Sequence, residues 1–557
     1  MIETEVKNII TEAIDSDVEI ELARPKPTFG DFSTNIAMKL AKKLGKNPRQ
    51  IAEEISESIS EHQDIVSAEV AGPGFINIKI ADNLIIRELL NNLENPEDYG
   101  TNDVYKNQLV LTEYSDPNPF KELHVGHLYT TIIGDGVSNL ISAGGGDVHK
   151  INFGGDVGMH VAKAVWAIIQ WLGSEESEDL QSVNEDQRPS WLSARYVAGA
   201  KAFEDGKKEE IKAINKRIYK IIDEKDTDSE LAKIYWTCRT WSYNYFKNFY
   251  KQLDTEFEKF YPESENSKLG LDTVRAHVGD VYQESDGAVI FDGEKHGLHT
   301  RVFINKEGLP TYEAKDIGLA LARTKDYNPD KTIIITGNDI EEYMKVVLKS
   351  LEQFEPEIAR NTQHITHGQV KMKGGIKMSS RLGNVLSASD VIDAVRQIAK
   401  IKQPDSKVDS TFAAIKYAFL RQKIGPDVIL DPEESVSLEG KSGPYLQYAY
   451  ARSKSILAQS GKKEFSANIS DLESAERSLA VKITQYPSVV EEAVGSLEPH
   501  GIALYLHALA QEFNRFYEHN RVIDDQRSQT RLAILSAYSI VLKNGLDLLN
   551  IEAPERI

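Results

Sequence analysis

The 557-residue sequence predicts a multi-domain α/β protein, with a parallel-sheet core, a small α/β unit before it and an all-α bundle after it. Three observations predict this. Between Gln108 and about Asp393, short apolar runs (LVLTEY, DVHKINF, TIIITG) alternate with helical stretches, the pattern of parallel strands joined by crossover helices. Upstream, a Gly-Pro-Gly turn breaks VAGPGFINIKI into a turn and a strand behind amphipathic segments. Downstream of Val395 strand signals almost vanish, and GPYLQYAYARSKSILAQ, ALYLHALAQEFNRFYEHN and TRLAILSAYSIVLKNGLDLL repeat apolar residues at helical spacing.

Taken in order, the first hundred residues form an amphipathic start, one or two helices over FGDFSTNIAMKLAKKLGKNPRQIAEEI, and the strand after the Gly-Pro-Gly turn. The polar stretch NNLENPEDYGTNDVYKN then leads into a buried strand, which sets a boundary near Tyr105. The expected domains are 1–104, 105–395 and 396–557. Within the second, residues 166–276 read as a helical insertion carrying the acidic loop GSEESEDLQSVNEDQRPS.

Composition narrows the functions. No stretch approaches the roughly 20 apolar residues of a membrane helix, and the N-terminus lacks the basic start and apolar middle of a secretory signal. With Cys238 as the only cysteine, neither an internal disulfide nor a cysteine-rich zinc site is available. The expectation is a cytoplasmic protein, monomeric, with no membrane partner and no protein-bound metal. A net charge of −21 argues against indiscriminate nucleic-acid binding. Between Lys371 and Lys423, however, eleven basic residues face four acidic ones. Composition alone favours a solvated helix face there, and the motifs must decide.

Two motifs carry the chemistry. In LTEYSDPNPFKELHVGHLYTTIIGD an apolar strand and a proline-rich turn lead to His124-Val125-Gly126-His127 at the start of a helix. Histidines at i and i+3 share a face, and the helix N-terminus is an anion site; Gly126 lets phosphate or ribose approach the backbone. In GGIKMSSRLGNVLSASD, Lys377 and Arg381 with Ser379 and Ser380 can surround a triphosphate and meet the charge of a pentacovalent phosphate. Each motif alone has a bland reading, a capped helix start or a basic surface turn. Their order, the α/β core between them and the bundle after them resemble class I aminoacyl-tRNA synthetases.

Finer likeness covers nearly the whole chain. FGDFSTN, AGPGFIN, EYSDPNPFKELHVGH, GLPTYEAKDIGLA, KMSSRLGN, SLEGKSGPYLQYAYAR and NGLDLLNIEAPERI follow in the order seen in arginyl-tRNA synthetases. The chain is similar to that family, which implies a Rossmann-type core, ATP with Mg2+ as substrate complex, L-arginine and tRNA(Arg) as partners, and transfer to the terminal ribose. Carried onto this sequence, the resemblance puts Glu113, Ser115, Asn118, Tyr312 and Asp316 around arginine. It puts His124, Gly126, His127, Lys377, Met378, Ser379 and Ser380 around ATP, with Lys121 as a further catalytic candidate on the α-phosphate. Physics agrees on the acids, because a guanidinium with five fixed donors calls for carboxylate acceptors.

Gly155, Asp156 and Gly158 in NFGGDVGMH allow close approach of nucleotide or the tRNA end, or form a tight turn. Tyr445, Gln447, Tyr448 and Arg452, and more weakly Asn514, Arg515 and Tyr517, form an expected surface for unstacked bases. One departure stands out. After TIIITG the chain has Gly337-Asn338-Asp339-Ile340, with Ile340 where family members carry glutamine, and Asn338 or Asp339 is expected to substitute.

Overall fold

The computed structural model describes residues 1–14, 16, 18–373, 386–461 and 469–557. Residues Leu109–Glu113, Asp147–Gly154, Lys259–Pro262, Lys331–Gly337 and Thr362–His367 are the strands of a five-stranded sheet. All its pairings are parallel, and the first of these strands lies at the centre with the next two on one side and the last two on the other. That arrangement creates a switch point between Leu109–Glu113 and Lys331–Gly337, where crossovers diverge and a crevice opens beyond the carboxyl ends. The central strand is buried on both faces, which explains its continuous apolar run.

Three strands were legible as apolar runs, and two were not. Lys259–Pro262 is only four residues long and Thr362–His367 is mostly polar, and pairing with a neighbour makes them strands. Because Lys259–Pro262 pairs with Asn152 and its neighbours, the chain rejoins the core sheet before the expected insertion boundary at 276. The all-helical stretch between these strands comprises Met159–Leu172, Arg188–Ala202, Lys208–Glu224 and Glu230–Gln252. They enclose a core of Val161, Val165, Leu192, Ile211, Ile218, Tyr235 and Cys238.

The N-terminal unit is a four-stranded antiparallel sheet backed by helices Ile2–Ala13, Ile36–Leu44 and Pro48–Ser60. Asn47 caps the third helix by accepting from the Arg49 amide at 2.9 Å, with Pro48 at its first position. Arg477 of the bundle holds this unit in place, donating to Asp31 at 3.0 and 2.8 Å, to Asp82 at 2.8 Å and to the Ile80 carbonyl at 3.0 Å.

After residue 386 the regular elements among the described residues are helices apart from Val428–Leu430, which pairs in parallel with Val370–Met372. Strand signal there is three residues long and invisible to periodicity. Among the described residues, no helix is long and apolar enough to cross a membrane.

Candidate active site

The HxGH turn is built under strain. Ser115, Asp116 and Phe120 all have positive φ (74°, 44° and 68°), conformations that non-glycine residues keep only where surroundings enforce them. The enforcement comes from the helical insertion. Ser242 Oγ accepts from the Phe120 amide at 3.0 Å, Ser193 Oγ from the Glu122 amide at 2.6 Å, and the Tyr245 hydroxyl oxygen from the Leu123 amide at 3.4 Å. The insertion is therefore the scaffold of the motif as well as a spacer.

His124 caps helix Val125–Ala143. Its Nδ1 accepts from the Gly126 amide at 3.1 Å, and His127 Nδ1 accepts from the His124 amide at 3.1 Å, so the rings stack with centroids 3.7 Å apart. Burial and then the Lys121 charge push His124 down to about 4; burial, the His124 ring and Lys121 push His127 well below its usual range. Both rings are neutral, and since both Nδ1 atoms accept, both Nε2 atoms carry hydrogen. The result is a pair of neutral donors beside a cation, suited to phosphate oxygens. Gly126 has a further reason to be glycine, because a Cβ there would stand 2.8 Å from the His124 ring.

Lys121 is part-buried, has no carboxylate partner among the described residues, and lies 5.6 Å from the Tyr196 ring centre. Burial lowers its pKa. Segment Leu386–Ala388 runs alongside the motif, with the Val125 amide donating to the Leu386 carbonyl and the Ala388 amide to the Leu123 carbonyl, both at 2.9 Å. Lys377, Met378, Ser379, Ser380 and Arg381 lie outside the described residues.

Carboxylates gather at the carboxyl end of the central strand. Helices Glu263–Ala276 and Tyr312–Tyr327 cross backbone to backbone: a Cβ on Gly270 would stand 1.8 Å from the Ala314 carbonyl oxygen, and one on Gly318 2.3 Å from that of Asn266. This crossing brings Glu263 near Asp316, while Glu113 arrives from the end of the central strand. Burial, offset by a hydrogen bond from Tyr343 and reinforced by Glu113 and Glu263, pushes Asp316 up to about 8. Burial pushes Glu263 up to about 7 against the pull of Lys315, whose Nζ lies 2.5 Å from its carboxylate and donates also to the Val157 carbonyl at 3.0 Å. Glu113 is paired with Arg323, both side chains almost wholly buried. Burial raises its carboxyl even so.

Tyr312, one helical turn before Asp316, is 52% exposed, and the Lys315 Nζ lies 4.9 Å from its ring centre. Its hydroxyl lies 3.3 Å from His160 Nδ1, and His160 Nε2 donates to the Gly155 carbonyl at 2.6 Å. Burial holds His160 neutral, down to about 3. Asn118 approaches Gly155 so closely that a Cβ on the glycine would meet its Oδ1 at 2.0 Å.

Residues 88–418 match the model for "tRNA synthetases class I (R), catalytic domain", residues 1–80 that for "Arginyl tRNA synthetase N terminal domain", and residues 446–557 that for "DALR anticodon binding domain". The chain belongs to the class I (R) tRNA synthetases. Similar relatives include arginine–tRNA ligases of Phocaeicola vulgatus, 28% identical over 97% of this chain and 96% of that one, and of Treponema denticola, 29% identical over 94% and 92%. In fold it is similar to the Thermus thermophilus arginyl-tRNA synthetase, with TM-score 0.80, 22% identity and 100% of both chains covered. The Plasmodium falciparum enzyme gives TM-score 0.77 at 20% identity, covering 100% of this chain and 98% of that one.

Several expected residues of this class I synthetase stand elsewhere than the sequence suggested. The Ser115 side chain is buried, sharing hydrogen bonds at 2.9 Å with the Tyr250 hydroxyl and with Thr131 Oγ1. Asp156 is sealed at 0% exposure, where it accepts from Ser264 N and Oγ at 2.8 and 2.7 Å and from Arg239 Nε at 2.6 Å. It anchors the NFGGDVGMH turn and does not face a ligand; Gly158, at φ 128°, is the residue the turn requires to be glycine.

In the bundle, Tyr445 and Gln447 are buried, contrary to the expected RNA-facing surface. Tyr445 accepts from Asn514 at 2.8 Å and Gln447 donates to the Glu552 carbonyl at 2.8 Å, so both serve helix packing. Tyr448 is 44% exposed, and Arg452 lies 4.4 Å over the Tyr517 ring. Arg515 pairs with Glu512 at 2.9 Å. Asn338 and Asp339 are exposed, and the charge of Asp339 bears on His124 and His367, not on Asp316. Glu263, Lys315, His160 and Tyr343 escaped sequence reasoning. Only Lys315 and Tyr343 had a local signal, standing beside Asp316 and one helical turn after Ile340.

Proposed function

We propose that the chain activates L-arginine with ATP and transfers it to the 3′-terminal ribose of tRNA(Arg), with AMP and pyrophosphate as co-products. The observation that carries this is the convergence of Asp316, Glu263 and Glu113 at the carboxyl end of the central strand, with the half-exposed Tyr312 one helical turn before Asp316. A forked cation with a flat face suits a cluster of acids with an aromatic ring at its edge.

In this reading the arginine carboxylate attacks the α-phosphate in line, and pyrophosphate leaves. The Nε2–H groups of His124 and His127 donate to phosphate oxygens, and Lys121 offsets the charge that builds there. Mg2+ arrives with ATP as part of the substrate. Lys377, with Met378, Ser379 and Ser380, steadies the leaving phosphates; the hydrogen bonds of Leu386 and Ala388 to the HxGH segment support that role, since they bring the chain just beyond these residues to the motif. The ribose hydroxyl of tRNA then attacks the activated carbonyl, and no protein nucleophile is needed.

Residues 1–104 and 396–557 flank the catalytic 105–395 and grip the tRNA, the latter through the exposed Tyr448 and its neighbours. The enzyme is read as a cytoplasmic monomer that requires tRNA for the first step. Pyrophosphate exchange with each of the twenty amino acids, with and without tRNA, tests the reading: arginine alone supports exchange, and only when tRNA is present.

A further inference from the structure

Position 340 gives the arginine pocket an isoleucine, and neither neighbouring polar residue turns to the acids. The group that does is one turn further along. Tyr343, in helix Glu341–Glu352, is part-buried and donates its hydroxyl hydrogen to Oδ2 of Asp316. Among the described residues Oδ1 of Asp316 has no partner, so this bond fixes the carboxylate plane while leaving one oxygen free. The phenol is itself held. The Arg301 guanidinium lies 5.3 Å from the ring centre and is tied to Glu313 at 3.2 Å, which locks the ring between a cation and the acid it serves.

We propose that Tyr343 is a positioning residue for amino-acid recognition: it sets the rotation of Asp316 so that the free oxygen meets the guanidinium, and it supplies the polar contact to the pocket that Ile340 withholds. The inference rests on the arginine pocket read above. Its reasoning is geometric: a carboxylate free to rotate presents its oxygens to one point charge as readily as to a fork, whereas a fixed one favours a planar, two-pronged partner. The groups facing Asp316 are Glu113 from the central strand, Asp116 from the turn after it, Glu263 from the crossing helix, Arg323 from its own helix and Tyr343. Of these, only Tyr343 hydrogen-bonds to it.

The test is steady-state kinetics of the full chain with tRNA and ATP, comparing Tyr343→Phe and Asp316→Asn with the parent from about pH 6 to about pH 9. Removing one oxygen from a part-exposed ring leaves the fold intact, which thermal melting checks. Tyr343→Phe raises KM for arginine roughly tenfold, with kcat and KM for ATP within about twofold. It also moves the acid limb of the arginine KM profile to higher pH, because the lost bond favoured the ionised carboxylate. A structural role alone leaves that limb in place. If Asp316→Asn raises the arginine KM but Tyr343→Phe leaves both KM and limb unchanged, the positioning role is wrong and the pocket stands. If Asp316→Asn leaves the arginine KM unchanged, the pocket reading fails and this inference falls with it.

Discussion

Gly155 and Asn118 share a space that holds only one of them and a hydrogen. A Cβ on Gly155 would stand 2.0 Å from Asn118 Oδ1 and 3.4 Å from Glu263 Oε1. The glycine has no positive φ, so an alanine meets no backbone strain and the penalty is purely steric. Gly155→Ala therefore pushes the Asn118 amide out of line with the acids while the strand before it keeps its pairing. The arginine KM rises by about tenfold or more, with an unchanged circular dichroism spectrum. An unchanged KM removes Asn118 from the pocket.

Glu263 and Lys315 form a pair at 2.5 Å with both side chains nearly sealed. Deleting one charge strands the other, so Glu263→Gln costs about 3–5 kcal/mol of stability. The double variant Glu263→Gln with Lys315→Met recovers most of that loss, since a neutral pair is easily buried, yet it does not recover arginine binding. Calorimetry and arginine titration on the three proteins check this. Recovery of binding along with stability marks Glu263 as structural only.

Protons follow from the raised acids. Asp316 at about 8 and Glu263 at about 7 bind protons in the empty folded protein more tightly than in the unfolded chain. Their contribution to stability is thus fully present below the ordinary carboxylate range and is lost as pH rises through about 7 to 8. Arginine reverses the preference, because a guanidinium beside Asp316 favours the ionised form. Binding at neutral pH releases a proton, and affinity rises as pH climbs towards about 8. Titration calorimetry in buffers of different ionisation enthalpy measures the proton count, which falls in Asp316→Asn.

Lys377 tests the phosphate half of the site. Lys377→Ala lowers kcat about a hundredfold and leaves the arginine KM within about twofold, because its partner develops charge only in the transition state. Single-turnover adenylate formation separates the two effects. Undiminished turnover refutes the assignment.

Local signals carried much of this account. LVLTEY and TIIITG announced their strands because burial on both faces forces continuous apolar runs, DVHKINF announced its own less directly because its first half is only part-buried, and the HxGH spacing put two histidines on one face because a helix brings i and i+3 together. What escaped was made at long range. Glu263 joins Asp316 only because Gly270 and Gly318 let two helices touch, a contact spanning residues far apart in sequence. Ser115 looked like a ligand contact, but its hydroxyl is taken up by Tyr250 and Thr131, partners far from it in sequence. Tyr445 and Gln447 lie on a helix with apolar residues around most of its circumference, so spacing did not say which face the bundle would cover.

The central claim is that buried acids read the fork of the guanidinium. Titrating arginine, citrulline and lysine into the tRNA-bound enzyme tests it most directly, since citrulline keeps the shape of arginine without its charge and lysine keeps the charge without the fork. The account predicts tight binding of arginine, at least about a hundredfold weaker binding of the other two, and loss of the preference in Asp316→Asn. Citrulline or lysine binding as tightly as arginine would contradict it.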